Sequence, residues 1–127
     1  MARDSIGLQF LTYDTTDSVG TKTVVKQVVT QANGIVITGA FACKNNSLAI
    51  VIENTYTSAT TATLKSGEKQ NNLLGDSSIP LPASSVVTLR IRVVARYERK
   101  DGSIYIDFGA GMTGNIYALA EKAGLGS

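Results

Sequence analysis

The longest regular pattern in the chain is an alternation of two residue classes over residues 86–100. One class is apolar or aromatic: Val87, Leu89, Ile91, Val93, Ala95 and Tyr97. The other class is mainly polar or charged: Thr88, Arg90, Arg92, Val94, Arg96 and Glu98. Because successive side chains of a strand point to opposite faces, this pattern predicts one long strand with a core face and an outward face.

A turn signal follows that strand. Asp101 and Gly102 form a favoured two-residue hairpin turn, and residues 103–108 alternate again. The spacing predicts a β-hairpin in which Arg96 faces Asp107 on the outward side. Opposite charges at facing positions stabilise such a pair, so the local and long-range patterns agree.

Four other segments have patterns that predict elements, although the valines of residues 23–30 also recur at helical spacing. Residues 23–30 are rich in valine and threonine, and the pair Asn33-Gly34 precedes the apolar residues 35–38, which predicts a β-hairpin over residues 22–41. Residues 47–53 are apolar on both faces, as in a central strand. The two prolines near Leu81 favour an irregular stretch over residues 69–85. Residues 109–114 predict a turn, and a last strand runs to about residue 119.

The first 21 residues predict an N-terminal arm with one short strand near Leu8 and Phe10. Such an arm packs on its own domain or reaches a neighbouring subunit, and the residues favour neither. Residues 22–127 then form a single domain. Seven or eight short strands separated by turn signals predict an all-β fold, either a β-sandwich or a jelly-roll-like fold.

Composition narrows the possible functions. The 127 residues are 43% hydrophobic and only 17% charged, below the roughly 25% charged residues of ordinary globular domains. Thr, Ser, Asn and Gly replace the missing charges, so the surface is polar, neutral and suited to protein contacts. A net charge of +2 indicates neither a nucleic-acid nor a membrane partner. Histidine is absent, which removes the commonest general base and metal ligand.

Two groups of residues are candidates for binding a partner: Leu8, Phe10 and Tyr13 in the arm, and Arg90, Arg92 and Arg96 on the outward face of the long strand. The arginine row is either a solvated strand face or a stripe that docks an acidic protein surface or a phosphate backbone. We predict no catalytic, cofactor-binding or metal-binding residue.

Other motifs have ordinary interpretations. The glycines of residues 109–114 lack the lysine of a phosphate-binding loop. Asp14 and Asp17 lack the oxygen spacing of a calcium loop. Cys43 is a single cysteine, expected to be buried. Tyr105 and Tyr117 are a weak signal for carbohydrate binding.

An ordered series of motifs from residue 47 to residue 120 resembles small β-rich virion proteins of tailed bacteriophages, which are similar to head decoration proteins. The motifs are Ile52-Glu53-Asn54-Thr55, Thr63-Leu64-Lys65-Ser66-Gly67-Glu68, Leu73-Leu74-Gly75-Asp76, Ala95-Arg96-Tyr97-Glu98, Asp101-Gly102-Ser103-Ile104-Tyr105-Ile106-Asp107-Phe108 and Gly114-Asn115-Ile116-Tyr117-Ala118.

The resemblance implies a non-enzymatic subunit that binds the outside of a capsid lattice and reinforces it. Its partner would be the major capsid protein or another virion protein, and the subunit would be a homo-oligomer such as a trimer. It would be made in the host cytoplasm and reside in the virion. Two alternatives stay open: a filament or fibre subunit that uses residues 1–13 for strand addition, and a carbohydrate-binding module.

Overall fold

The computed structural model describes residues 3–13, 16, 19–39, 47–67, 75–92 and 94–121. These residues form twelve strands and one 3-10 helix at Val94–Arg96. The strands are β1 (Asp4–Gly7), β2 (Gln9–Phe10), β3 (Thr12–Tyr13), β4 (Gly20–Thr21), β5 (Gln27–Val28), β6 (Ile35–Thr38), β7 (Leu48–Asn54), β8 (Thr60–Leu64), β9 (Ser77–Leu81), β10 (Ser85–Ile91), β11 (Ile104–Phe108) and β12 (Gly114–Ala120).

Ten of these strands build two sheets. Sheet 1 has the order β1-β6-β11-β8-β9. Sheet 2 has the order β10-β7-β12-β2, and β5 also pairs with β12. The pairs β1–β6 and β2–β12 are parallel, and the other pairs in the two sheets are antiparallel.

The inner faces of the two sheets share one hydrophobic core. Its largest fully buried side chains come from both sheets and the turn before β12: Ile35, Ile37, Leu48, Ile50, Ile52, Leu81, Ile104, Ile106, Met112 and Ile116. Alternate residues of each strand supply this core, as the period of two requires. The predicted all-β, sandwich-like fold is therefore confirmed.

The N-terminal segment contributes a strand to each sheet. β1 lies beside β6 in sheet 1, and β2 lies beside β12 in sheet 2, so the chain crosses between the sheets at Leu8. The expected single strand is wrong, because residues 4–13 form three short strands. The boundary between arm and domain at residue 21 stays a prediction.

The predicted hairpin over residues 22–41 is wrong. β5 pairs with β12 in sheet 2, whereas β6 pairs with β1 and β11 in sheet 1. Asn33 and Gly34 do make a turn, with both N–H groups donating to the Thr30 carbonyl and with Gly34 at φ +71°. That turn carries the chain from one sheet to the other instead of reversing it within a sheet.

The predicted long strand ends early. β10 follows the expected alternation from residue 85 to Ile91, and the 3-10 helix then redirects the chain into sheet 1. Val94 and Glu98, expected on the outward face, are buried. Among the described residues, the bridge between Glu98 and Ile104 is the only backbone pairing of this segment with β11, so the predicted hairpin is also wrong.

The arginine expected opposite Asp107 lies elsewhere. Arg96 donates to the Gly75 carbonyl (Nη2–O 3.3 Å), and its guanidinium lies 5.1 Å from the Tyr97 ring centroid. Asp107 forms its ion pair with Arg3. The facing charges in the sequence therefore did not identify the true partner.

The stretch expected to be irregular over residues 69–85 contains β9, and its residues 68–74 lie outside the described part of the chain. β9 is an edge strand that pairs only with β8 among the described residues. Pro80 is compatible with this position because its missing N–H faces no neighbouring strand. The prolines thus excluded a central strand, as argued from the sequence, but not an edge strand.

The remaining assignments are confirmed. β7 is a central strand flanked by β10 and β12. Residues 110–111 turn between β11 and β12, and β12 runs one residue beyond the expected end.

Candidate protein-binding face

The outward side of sheet 2 is a continuous surface that we call face 2. Its members are the residues whose side chains point away from the core: Val28, Ala49, Val51, Glu53, Val86, Thr88, Arg90, Asn115, Tyr117 and Leu119. These residues come from β5, β7, β10 and β12, which are remote from one another in sequence.

Facing residues divide face 2 into rows that cross the sheet. One row contains Val86, Glu53, Asn115 and Val28, in that order. Both of its end residues are exposed, Val86 by 63% and Val28 by 64%. The next row places Val51 between Thr88 and Tyr117, and Val51 is only 8% exposed. The first row is therefore apolar at both ends, and the second row is closely packed in the middle.

The central polar groups of face 2 satisfy one another. Lys26 Nζ lies 2.7 Å from Glu53 Oε2, and Asn115 Nδ2 donates to Glu53 Oε1 at 3.2 Å. The hydrogen bond from Lys26, and that from Asn115, lower the pKa of Glu53, while the same carboxylate raises the pKa of Lys26. The row thus presents a neutralised pair rather than an open charge.

The side-chain amide of Gln9 bonds the backbone of the segment before β5, at the margin of face 2. Gln9 Nε2 donates to the Val25 carbonyl at 2.8 Å, and the Val25 N–H donates to Gln9 Oε1 at 2.7 Å. Gln9 therefore bonds the backbone as a neighbouring strand would. The Val25 side chain is left 76% exposed.

The outward side of sheet 1, face 1, has a different chemistry. The Tyr105 ring has the Arg3 and Arg99 guanidiniums each 4.3 Å from its centroid. Arg3 Nη1 also pairs with Asp107 and donates to the Ile106 carbonyl at 3.1 Å. Cations on an aromatic ring and a charge pair together make face 1 a network of polar contacts.

Lys65 and Asp76 form a second ion pair beside this network, with Nζ and Oδ2 2.8 Å apart. The bond from Lys65 lowers the pKa of Asp76, and the backbone N–H of Ser66 adds to that effect. The pKa of Lys65 is raised in return.

The candidate residues of the arm do not form one surface. Leu8 and Phe10 are half-buried and pack against the core. Tyr13 is 40% exposed, and its hydroxyl donates to Glu121 Oε1 at 2.8 Å. Two of the three side chains are therefore largely used by the fold itself.

The candidate arginines also separate. Arg90 lies on face 2 and is exposed, Arg92 is exposed beyond the end of β10, and Arg96 is half-buried near Tyr97. The expected stripe needed a continuous strand through residue 96, and β10 ends at Ile91. The role of the six candidates in binding stays a prediction.

Asp14, Asp17 and Cys43 lie outside the described residues. In the part of the chain that is described, no group of three His, Cys, Asp or Glu residues could hold a metal ion. Likewise, no described helix is long and apolar enough to cross a membrane. Tyr105 is half-buried between two arginines, and Tyr117 is half-buried within face 2.

Sequence reasoning missed Val28 and Val86 as surface residues. Both lie in valine-rich segments, where single apolar side chains give no sign of which face they occupy. A correct pairing of β5 and β10 would have placed them in one row with Glu53. The missing information was thus the pairing of strands rather than the presence of strands.

Comparisons with known proteins assign no relative. The sequence matches no family model, no curated protein and no solved structure.

Proposed function

We propose that this chain is a virion structural protein, a decoration subunit that binds an outer capsid surface through face 2. The observation that carries the proposal is the row from Val86 to Val28, in which exposed apolar side chains flank a neutralised polar centre. The motif resemblance supplies the virion setting, and face 2 supplies the means of attachment.

The composition of face 2 suits burial against another protein. Interface centres are depleted in open charges and enriched in apolar and aromatic groups. Glu53 already has its partners in Lys26 and Asn115, so covering it leaves no unpaired carboxylate.

The energetic gain per subunit is modest. Each of the two exposed valines contributes about 1 kcal/mol when a partner covers its remaining surface. Val25 adds a similar amount if the contact extends to the margin held by Gln9. An oligomer of the subunit that engages several equivalent sites on a shell at once would strengthen this modest attachment through effective concentration.

The filament alternative fits the fold less well. Strand addition by residues 1–13 requires β1 and β2 to leave positions that they fill in both sheets of their own chain. Leu8 and Phe10 would also leave the core. A folded subunit that docks by a face needs no such rearrangement.

The proposal is tested by cosedimentation with empty shells of the tailed phage whose genome carries the gene. The wild-type protein should sediment with the shells. Val28→Asp should bind at least about tenfold more weakly, because the new carboxylate would be buried without a partner.

Ser78→Asp is the matched control. Ser78 is an exposed residue of β9 in sheet 1, so the same charge is added away from face 2. Equal binding of Val28→Asp and wild-type protein would exclude face 2, and failure of the wild-type protein to sediment would exclude the decoration role.

A further inference from the structure

The turn at Asn33 and Gly34 holds the first strand of sheet 1 in place. Asn33 Nδ2 donates to Asp4 Oδ1 at 3.3 Å, and the Asp4 N–H donates to the Gly34 carbonyl at 3.2 Å. The backbone bond is the first contact in the parallel pairing of β1 with β6. The turn therefore fixes the start of β1 through one side-chain bond and one backbone bond.

The same two residues favour loss of the asparagine side-chain amide. Asparagine is one of the thermally labile residues. Gly34 has no side chain, so nothing attached to its Cα shields its backbone nitrogen from the Asn33 amide carbon. Asn33-Gly34 is the only asparagine–glycine pair among the 127 residues.

The hydrogen bonds that restrain the Asn33 amide are long. The Gly34 N–H donates to the Thr30 carbonyl at 3.3 Å, beyond the usual range of about 2.7–3.2 Å. The bond from Asn33 to Asp4 has the same length. Asn33 Oδ1 is buried and accepts no hydrogen bond from the described part of the chain. The amide is thus held weakly, whereas most buried polar atoms have a partner.

We propose that Asn33 is a modification site at which the side-chain amide is converted to a carboxylate. The Gly34 nitrogen loses its proton to base and attacks Asn33 Cγ, the bond from Cγ to Nδ2 breaks, and ammonia leaves with a proton from solvent. Water then opens the resulting cyclic imide and leaves aspartate or isoaspartate. Water is the co-reactant, and it has access because residues 31 and 32 of the turn are exposed.

The modification reverses the contact that residue 33 makes with β1. An amide donates to Asp4, whereas an ionised carboxylate only accepts. Two carboxylates would then face each other, and like charges so placed repel. A Cβ on Gly34 would lie 2.8 Å from Asp107 Oδ1, so a third carboxylate borders the turn. Arg3, the cation beside them, is already paired with Asp107.

Isoaspartate has a second effect, because its main chain runs through the former side chain and is one atom longer. The extra carbon lies immediately before Gly34, whose carbonyl accepts the first bond from β1. Both products therefore loosen β1, while β6 keeps its pairing with β11. This inference does not rest on the proposed function, because neither Asn33 nor β1 belongs to face 2.

Mass spectrometry of the ageing protein tests the modification. The full chain is kept for several weeks in mildly alkaline buffer made with heavy-oxygen water, then digested and mapped. The peptide that contains Asn33 should exchange its amide nitrogen for heavy oxygen, faster than the peptides that contain Asn54 and Asn115. Asn33→Gln, whose longer side chain cyclises far more slowly, should stay unmodified. An Asn33 peptide that changes no faster than the other two would overturn the proposal.

Hydrogen exchange tests the consequence for β1. Asn33→Asp reproduces the charge of the product, and amide exchange over residues 4–7 should quicken at least about tenfold, while exchange over β7 stays unchanged. Ala32→Asp is the matched control, since it adds the same charge at an exposed position of the same turn. Its exchange should match that of the wild type.

A swapped pair separates charge repulsion from a general loss of stability. The double variant Asp4→Asn with Asn33→Asp again places one amide opposite one carboxylate, so exchange over residues 4–7 should return close to the wild-type rate. Equal exchange in the wild type and Asn33→Asp, or equal loosening in the single and double variants, would contradict the release of β1 by charge.

Discussion

Face 1 and face 2 are built on sheets of equal strand number, yet their side chains are used in opposite ways. On face 1 the long side chains of Arg3 and Arg99 lie on Tyr105, and Arg3 also holds Asp107. On face 2 the Glu53 carboxylate pairs with Lys26 in the middle of a row whose two end residues, Val28 and Val86, are exposed. The long polar side chains of face 1 are thus occupied by contacts within the chain, whereas face 2 keeps exposed apolar side chains.

The difference shows that composition alone does not tell which side chains of a sheet stay exposed. Arginine and tyrosine are enriched at protein interfaces. Here, however, the ring of Tyr105 is already used by two guanidiniums. The less conspicuous valines are the available groups, and only the pairing of strands reveals that they share a row.

The largest expected effect is a loss of stability when a side chain is added to a glycine of sheet 2, compared with the same change beside sheet 1. Gly114 starts β12 at φ +137°, and a Cβ there would lie 1.7 Å from the Glu53 carbonyl oxygen. Gly114→Ala should therefore force β7 and β12 apart and lower the free energy of unfolding by at least about 3 kcal/mol. Urea denaturation of the variant and the wild-type protein measures this change in the free energy of unfolding.

Gly34→Ala is the matched change in the turn that leads into sheet 1. Gly34 also has a positive φ, but the nearest atom to its added Cβ would be Arg3 Nη1, the end of a flexible side chain. The loss should be smaller, about 1–2 kcal/mol. An equal or larger loss for Gly34→Ala would show that face 1 is the more rigid of the two.

An intermediate effect concerns the network of face 1. A double-mutant cycle on Arg3 and Asp107 should give a favourable coupling of about 0.5–1 kcal/mol, limited because the carboxylate side chain is 44% exposed. The coupling should weaken as salt is added.

The parallel cycle on Arg96 and Asp107 is the control for that measurement. Because Arg96 bonds to Gly75 instead, this coupling should be close to zero. A larger coupling for Arg96 than for Arg3 would restore the hairpin predicted from the sequence and contradict the observed pairing.

The smallest effect is the response of the two faces to acid. Ion pairing lowers the pKa of Glu53 on face 2 from its usual 4.5 and that of Asp76 beside face 1 from its usual 3.8. Between the lowered and the usual pKa, each carboxyl group binds more protons in the unfolded chain than in the folded one. Its contribution to stability is therefore complete above the usual pKa and is lost as the pH falls through the lowered pKa.

Thermal unfolding between pH 7 and pH 2 measures this loss. Glu53→Gln and Asp76→Asn should each make the melting temperature depend less on pH below the usual pKa. A profile for Glu53→Gln with the same acid slope as the wild type would mean that the pair on face 2 does not stabilise the fold.

The sequence was sufficient to predict the strands whose local apolar pattern or preceding turn shows where they lie. β7 is apolar on both sides, and β12 follows a clear turn, so both were predicted near their observed bounds. The hairpins failed because the signals at Asn33-Gly34 and Asp101-Gly102 describe local backbone geometry only. Gly34 and Gly102 do adopt positive φ, but the strands on either side find partners elsewhere.

The candidate face could not be predicted for the same reason. Its central row needs β10, β7, β12 and β5 side by side, and no local pattern encodes that order. Arg90 was correctly expected to point outward, whereas Arg96 was misplaced because an alternating pattern does not reveal where a strand stops. The 3-10 helix at Val94–Arg96 breaks the alternation without any glycine or proline.

The pairing of β2 with β12 joins two strands that are far apart in sequence. Tyr13 and Glu121, which extend this contact, are 108 positions apart in sequence. During synthesis β2 therefore has no neighbour in sheet 2 until β12 has left the ribosome. Contacts of such long range slow folding and prolong the life of unpaired strands. High expression should accordingly increase chaperone binding to nascent chains. Slower translation should reduce that binding little until β12 has emerged.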